Sequence, residues 1–143
     1  MKLPLTGRCL CGTIGYEIWE APVAAYVCHC RDCQTGTGSA FSVAVLVPDR
    51  AFRSTGGEAK SVFGGVTLSG REKQRRVCPD CGTWVFGDPR QRGTGTAPTR
   101  AVRAGTLDDN SWVQPTRHFF TRSAQPWFVI PPGMEAYETQ PGS

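Results

Sequence analysis

Apolar and polar residues alternate with a period of two along much of the chain, which predicts strands rather than helices. Over residues 13–19, Ile14, Tyr16 and Ile18 share one face while Gly15 and Glu17 share the other, as in a half-buried strand. Residues 23–27 form a short apolar strand, and the β-branched run 41–47 reads as a buried one. Shorter strands are predicted at 51–54, 60–63 and 66–68, separated by Gly56-Gly57 and Gly64-Gly65. Residues 72–77 and 83–86 flank a cysteine-bearing turn, and a strand resumes over 100–107 before a turn at Asp108-Asp109-Asn110. Residues 34–39 are too glycine-rich for a helix and are expected to form a loop. Residues 87–99 are expected to form a mobile loop. The segments 118–120 and 127–130 are expected to seal the core or a pocket, Trp84, Trp127, Phe119 and Phe120 to be core, and the tail after Pro131 to be extended.

Composition narrows the class. At 143 residues the chain has the length of one ordinary domain, here expected over 1–143, with an ordered core at about 5–131 and a C-terminal tail at 132–143. Gly 17 and Pro 11 together favour many short strands over long helices. No apolar run approaches the roughly 18 residues that span a bilayer, and Met1-Lys2-Leu3-Pro4 lacks a signal-peptide apolar region. A cytoplasmic, non-membrane protein is the expectation.

In a reducing compartment, clustered thiols point to metal ligation rather than disulfides, and an odd count of seven fits a disulfide framework poorly. Three cysteines lie in the run Cys28-His29-Cys30-Arg31-Asp32-Cys33, and four form the distant pairs Cys9/Cys11 and Cys78/Cys81. Structural zinc takes four ligands and catalytic zinc three plus an open position. The outer pairs are therefore expected to close a structural zinc site, with Cys9 and Cys11 two apart on an extended strand. Cys28, Cys30 and Cys33 are expected to hold a second zinc that accepts a thiol. Three rival readings stand beside this. Cys78-Pro79-Asp80-Cys81 could be a redox pair, though that needs a following helix where residues 82–86 read as strand. The trio could be closed by His29 or His118 as a fourth ligand. A Cys28–Cys33 or Cys30–Cys33 disulfide could form on oxidation.

Two zinc ions also change the charge. The formal +4 falls to about +1 once seven thiolates (−7) and two Zn²⁺ (+4) are added, so the pI of 8.8 does not imply a nucleic-acid surface. Arg71, Lys73 and Arg75 alternate onto one strand face, with Arg76 beside them; they suit either an anionic small molecule or a solvated basic edge.

Three motifs, Gly7-Arg8-Cys9-Leu10-Cys11-Gly12, Cys28-His29-Cys30-Arg31-Asp32-Cys33-Gln34 and Arg75-Arg76-Val77-Cys78-Pro79-Asp80-Cys81-Gly82-Thr83, resemble the glutathione-dependent formaldehyde-activating enzyme family, the GFA domain also seen in centromere protein V. Ala104-Gly105-Thr106-Leu107-Asp108-Asp109 and Gln125-Pro126-Trp127 extend the likeness. The resemblance implies a mainly β, β-tent fold of antiparallel sheets around zinc. It also implies structural zinc on Cys9, Cys11, Cys78 and Cys81, and catalytic zinc on Cys28, Cys30 and Cys33. The implied chemistry is carbon–sulfur lyase activity joining a small-molecule thiol such as glutathione to an aldehyde such as formaldehyde. Arg75 and Gln34 are then substrate-binding candidates and His118 a proton-transfer candidate. The competing class is a non-catalytic zinc-binding structural or interaction module; no basic or disordered extension favours it. The sequence is silent between monomer and homodimer.

Overall fold

The computed structural model describes residues 1–140; positions 141–143, the end of the predicted tail, lie outside the described residues. In chain order the elements are β1 (Leu5–Arg8), β2 (Ile14–Ile18), β3 (Ala24–Cys28), α1 (Arg31–Thr37), β4 (Ser42–Pro48), β5 (Phe52–Gly56), β6 (Lys60–Val66), β7 (Glu72–Val77), β8 (Trp84–Gly87), β9 (Thr99–Arg103), β10 (Arg117–Phe119) and β11 (Glu135–Ala136). The mainly β expectation holds. A three-stranded sheet runs β1-β2-β5, and an eight-stranded sheet runs β11-β10-β3-β4-β9-β8-β7-β6. The sheets are not wholly antiparallel. β10 pairs in parallel with both β3 and β11, so part of the expected tail is a sheet edge.

The alternation over 13–19 does what period two demands: Ile14, Tyr16 and Ile18 point inward and are fully buried. They meet Val45 and Val47 of β4, Val85 and Phe86 of β8 and Val102 of β9, so the core lies between the two sheets. Gly7 is required at one close approach. A Cβ there would collide with the Tyr16 hydroxyl, which bonds Thr106 Oγ1 at 2.8 Å. Arg100 laces the same layer, resting on Phe52 and Phe86 while pairing with Asp49 at 2.9 Å.

Residues 31–37 are helical where a loop was expected, and the glycines explain the difference. Cys30 caps the helix, its Sγ accepting from the Cys33 N–H at 3.3 Å, and Asp32 sits in the first turn. Gly38 closes the C-terminus at φ 68, its N–H reaching the Gln34 carbonyl at 2.9 Å. Gly36 leaves room for the Arg75 guanidinium, which occupies the place a Cβ would need. The glycines thus serve as cap and packing surface. Gly64-Gly65 likewise does not end a strand: β6 continues through a register shift between Phe63 and Val66.

Of the late apolar segments, Phe119 is buried and Phe128 packs at a tilt on His29 and edge-on against Phe41, whereas Trp127 is 67% exposed and seals nothing. The segment between β8 and β9 is pinned at its far end by paired Arg90–Thr99 backbone hydrogen bonds of 2.8 and 2.9 Å.

Truncating Ile18 at the centre of this core, Ile18→Ala, is expected to cost about 2–5 kcal/mol in urea unfolding of zinc-loaded protein. A loss well under about 1 kcal/mol would contradict its place at the sheet–sheet contact.

Candidate functional site

Two turns bring the outer cysteine pairs together. Cys9 and Cys11 lie on the β1–β2 turn, not on an extended strand, and Cys78 and Cys81 lie on the β7–β8 turn. The turns share one construction. The first cysteine's N–H bonds a carbonyl five residues on, Cys9 to Ile14 and Cys78 to Thr83, both at 2.9 Å. A glycine with positive φ, Gly12 or Gly82, then returns an N–H to the first cysteine's carbonyl. Backbone amides are thereby turned toward sulfur: Ile14 N–H toward Cys9 Sγ at 3.2 Å, and Asp80 and Cys81 N–H toward Cys78 Sγ at 3.4 and 3.5 Å. The four Sγ atoms lie within 4.8 Å of one another. Thr83 ties the turns, its hydroxyl meeting Cys81 Sγ at 3.1 Å and accepting from Leu10 N–H. That hydroxyl is the main reason the Cys81 thiol is pulled down to about 5.

The second cluster sits where β3 delivers the chain into α1. Cys28 ends β3, Cys30 caps the helix and Cys33 lies in its first turn; all three are buried with their Sγ atoms within 4.8 Å. Among the described residues no further Cys, His, Asp or Glu joins them. Ser42 of β4 donates to Cys33 Sγ at 3.1 Å, and Arg103 Nη1 donates in turn to Ser42 Oγ at 3.2 Å. Protons are shared unequally across the trio. Donation from Cys28 and Cys30, then from Ser42, with the Arg103 charge behind it, holds Cys33 down to about 2. Cys28 is held far above the ordinary thiol range, first through its contacts with Cys30 and Cys33 and then by burial.

Both donor sets fit a soft divalent cation. Sulfur-only clusters with amides or hydroxyls aimed at the sulfurs suit zinc: four ligands for a closed tetrahedron, three for an open one. Either cluster can hold zinc.

Above the trio lies a cleft of ≈ 590 Å³ whose wall includes Cys28, Cys30 and Cys33. Its rim is basic, with Arg31, Arg71, Lys73, Arg75, Arg90, Arg92, Arg103 and Arg122 against Asp32, Glu72 and Asp88. Arg71, Lys73 and Arg75 all line it, but so do the intervening Glu72 and Gln74, and Arg71 precedes β7 rather than sharing a strand face with the other two. Arg75, however, already lies 4.0 Å over the Trp84 ring and donates to the Asp32 carbonyl at 2.7 Å, and Lys73 pairs with the Asp32 carboxylate at 2.9 Å. Together they fasten α1 to β7. Trp84 is a cleft wall rather than core: it is half-buried, clamped between Arg75 and Arg103, the latter 4.1 Å from its ring. Its position beside the Cys78–Cys81 turn was the available signal, but nothing in the sequence placed two guanidiniums across it.

Gln34 is buried beneath the helix, donating to the carbonyls of His29 and Ser123 at 2.8 and 2.9 Å and accepting from Arg31. It is not among the cleft residues. His118 is also outside the cleft. Its Nδ1 meets His29 Nε2 at 2.9 Å, in a fully enclosed pair packed on Phe128. Burial holds both imidazoles below the ordinary histidine value. Neither ring joins the sulfur trio.

Comparison with known proteins agrees with this geometry. The family described as glutathione-dependent formaldehyde-activating enzyme (GFA) matches residues 4–123. A solved protein of Rhodobacter sphaeroides shares the fold at a TM-score of 0.53 and 20% identity, over 77% of this chain and 91% of that one. No curated protein matches the sequence. No helix among the described residues is long and apolar enough to cross a membrane.

The two clusters should respond differently to ligand loss. The purified protein is expected to carry about two zinc ions per chain. Cys78→Ser should lose one and unfold at a Tm lower by about 10 °C or more, because the quartet joins both sheets. Cys30→Ser should lose one zinc with a Tm shift of only a few degrees. Metal analysis with calorimetry decides it, and equal destabilisation by both would refute the division.

Proposed function

The chain belongs to the glutathione-dependent formaldehyde-activating enzyme family, and on that premise we propose that it is a carbon–sulfur lyase for thiol–aldehyde adducts, with glutathione plus formaldehyde giving S-hydroxymethylglutathione as the reference reaction. The observation that carries the reading is the trio itself: three buried sulfurs, with no fourth side-chain ligand among the described residues, in the wall of a cation-rimmed cleft. Zinc bound by Cys28, Cys30 and Cys33 supplies a Lewis acid that lowers the pKa of a thiol and keeps it nucleophilic.

The remaining work falls to the chain. In the forward direction sulfur forms a bond to the carbonyl carbon, the carbonyl π pair moves to oxygen, and oxygen takes up the proton the thiol released. The reverse breaks the same bond, and no oxidant or reductant is needed. Arg31 and Arg122 stand on the cleft rim, where they hold the carboxylates of a peptide-like thiol and so orient its sulfur inward. Ser42, held by Arg103, keeps Cys33 in place through its 3.1 Å hydrogen bond. Arg75 acts as a positioning residue, because its contacts with Trp84 and Asp32 set where α1 presents Cys33. The enclosed His29–His118 pair props the β3–β10 seam behind the trio, and since neither ring lines the cleft, a proton-transfer role for His118 would act without direct contact with the substrate. The reducing cytoplasm is the compartment this reading assigns, since both clusters need free thiolates.

The rival reading, a non-catalytic zinc module, draws on the quartet alone and leaves the cleft unexplained. An assay of zinc-loaded protein against a panel of thiols and aldehydes separates the two. Adduct formation should exceed the uncatalysed background for at least one pair, vanish in Cys30→Ser, and fall about tenfold or more in Ser42→Ala. A rate equal to background for every pair sinks the lyase.

A further inference from the structure

The basic run 71–76 is divided by the fold. Lys73 goes to Asp32, Arg75 to Trp84 and Asp32, and Arg76 to Asp88 at 2.6 Å. Arg71 is left over. It makes one long hydrogen bond, 3.5 Å, to the Glu72 carbonyl, and its side chain lines the cleft. The segment between β8 and β9 brings Arg90 and Arg92 to the same cleft. Among the described residues neither Arg71 nor Arg92 has an ion-pair partner, and Arg92 Nε is buried without a hydrogen-bond partner. Arg90 is near enough to both that, after burial, their charges are what hold it below the ordinary guanidinium range. Arg71 and Arg92 therefore bring two cationic side chains without an ion-pair partner among the described residues to a cleft whose rim carries more cations than carboxylates, and an anion entering it is attracted.

The backbone is anchored at Arg71 and at Arg90, near the start of the segment that carries Arg92. Arg71 N–H donates to Thr67 Oγ1 at 3.0 Å and its carbonyl accepts from Thr67 N–H at 2.8 Å. Arg90 is fixed by its paired hydrogen bonds with Thr99. Arg31, Arg122 and Arg103 also line the cleft, so a thiol with two separated single carboxylates does not need this cluster as well.

We propose that Arg71 and Arg92 form a subsite for a doubly charged oxyanion, and that this group is the far end of the thiol whose sulfur reaches the Cys28–Cys30–Cys33 trio. The proposal rests on the thiol-activating reading of that trio, which it deepens by naming the substrate class: a thiol ending in a phosphate monoester or a dicarboxylate, rather than a monocarboxylate peptide. Guanidiniums recognise both groups through the same paired N–H···O contacts.

The test is calorimetric binding to zinc-loaded protein, using matched thiols that differ only at the far end. Phosphopantetheine against pantetheine probes the phosphate, and N-(3-mercaptopropanoyl)aspartate against N-(3-mercaptopropanoyl)glycine probes the dicarboxylate. At least one doubly charged thiol should bind about tenfold or more tighter than its partner, and tighter than glutathione. Arg71→Gln and Arg92→Gln, with unchanged melting curves, should abolish that advantage while leaving pantetheine binding within about twofold. Equal binding within both pairs, or equal losses for charged and uncharged thiols in the variants, overturns the proposal. Inorganic phosphate provides the separating arm. Arg71- and Arg92-dependent phosphate binding in a protein that binds no thiol supports the oxyanion subsite and removes the thiol reading. Phosphate binding that is unchanged in both variants counts against the subsite itself.

Discussion

Buried sulfur at close range is the constraint around which this molecule is arranged. Two thiolates about 4 Å apart repel by about 4 kcal/mol at an effective dielectric of about 20, so neither cluster can ionise fully without a cation among its sulfurs. The fold prepares for that charge with dipoles rather than acids or bases. Backbone N–H groups of Ile14, Asp80 and Cys81 face the quartet, while the Cys33 N–H and the Ser42 hydroxyl face the trio. The difference in ligand number then sets the division of labour. Four sulfurs would complete the tetrahedron of a zinc ion, whereas three in a cleft wall would leave, on the proposed reading, one position for a visiting thiol.

Location reinforces that division. The quartet joins the β1–β2 turn of the small sheet to the β7–β8 turn of the large one, at a place where Cys9 and Cys78 are themselves part of the core between the layers. The trio depends instead on how α1 docks. Asp32 binds Lys73 and Arg75, and Gln34 binds the carbonyls of His29 and Ser123, so the helix is held from both sides. Residues that look like substrate ligands in a one-dimensional reading, Arg75 and Gln34, are largely occupied in holding the sulfur-bearing helix.

Fold and function remain separate inferences here. The β scaffold and the cysteine spacing are compatible with several thiol–carbonyl reactions, and on the proposed reading discrimination among them would reside in the cleft rim. That rim is assembled from β6–β7, the β8–β9 segment and the turn after β10, pieces far apart in the chain. Substrate preference can therefore change without disturbing either sulfur cluster.

Period-two patterning was sufficient to place β2, because Ile14, Tyr16 and Ile18 have only one face to bury, and the β-branched run placed β4. Metal-ligand spacing likewise sorted seven cysteines into four and three, since that grouping is a matter of count and local turn geometry. Helix α1 was not legible: its glycines argue against a helix until Arg75, from a distant strand, fills the space at Gly36. Nor was the fate of the basic residues legible. Arg71, Lys73, Arg75 and Arg76 are alike in sequence, yet long side chains are assigned by whichever distant partner they meet: Asp32, Trp84, Asp88 or, for Arg71, none of these. The pairing of His29 with His118 depends on a parallel β3–β10 contact that no local pattern encodes. Local sequence settled what the backbone and the sulfurs must do; only the packing of remote strands decided which charges stay open to a ligand, because that depends on neighbours the chain brings together only when folded.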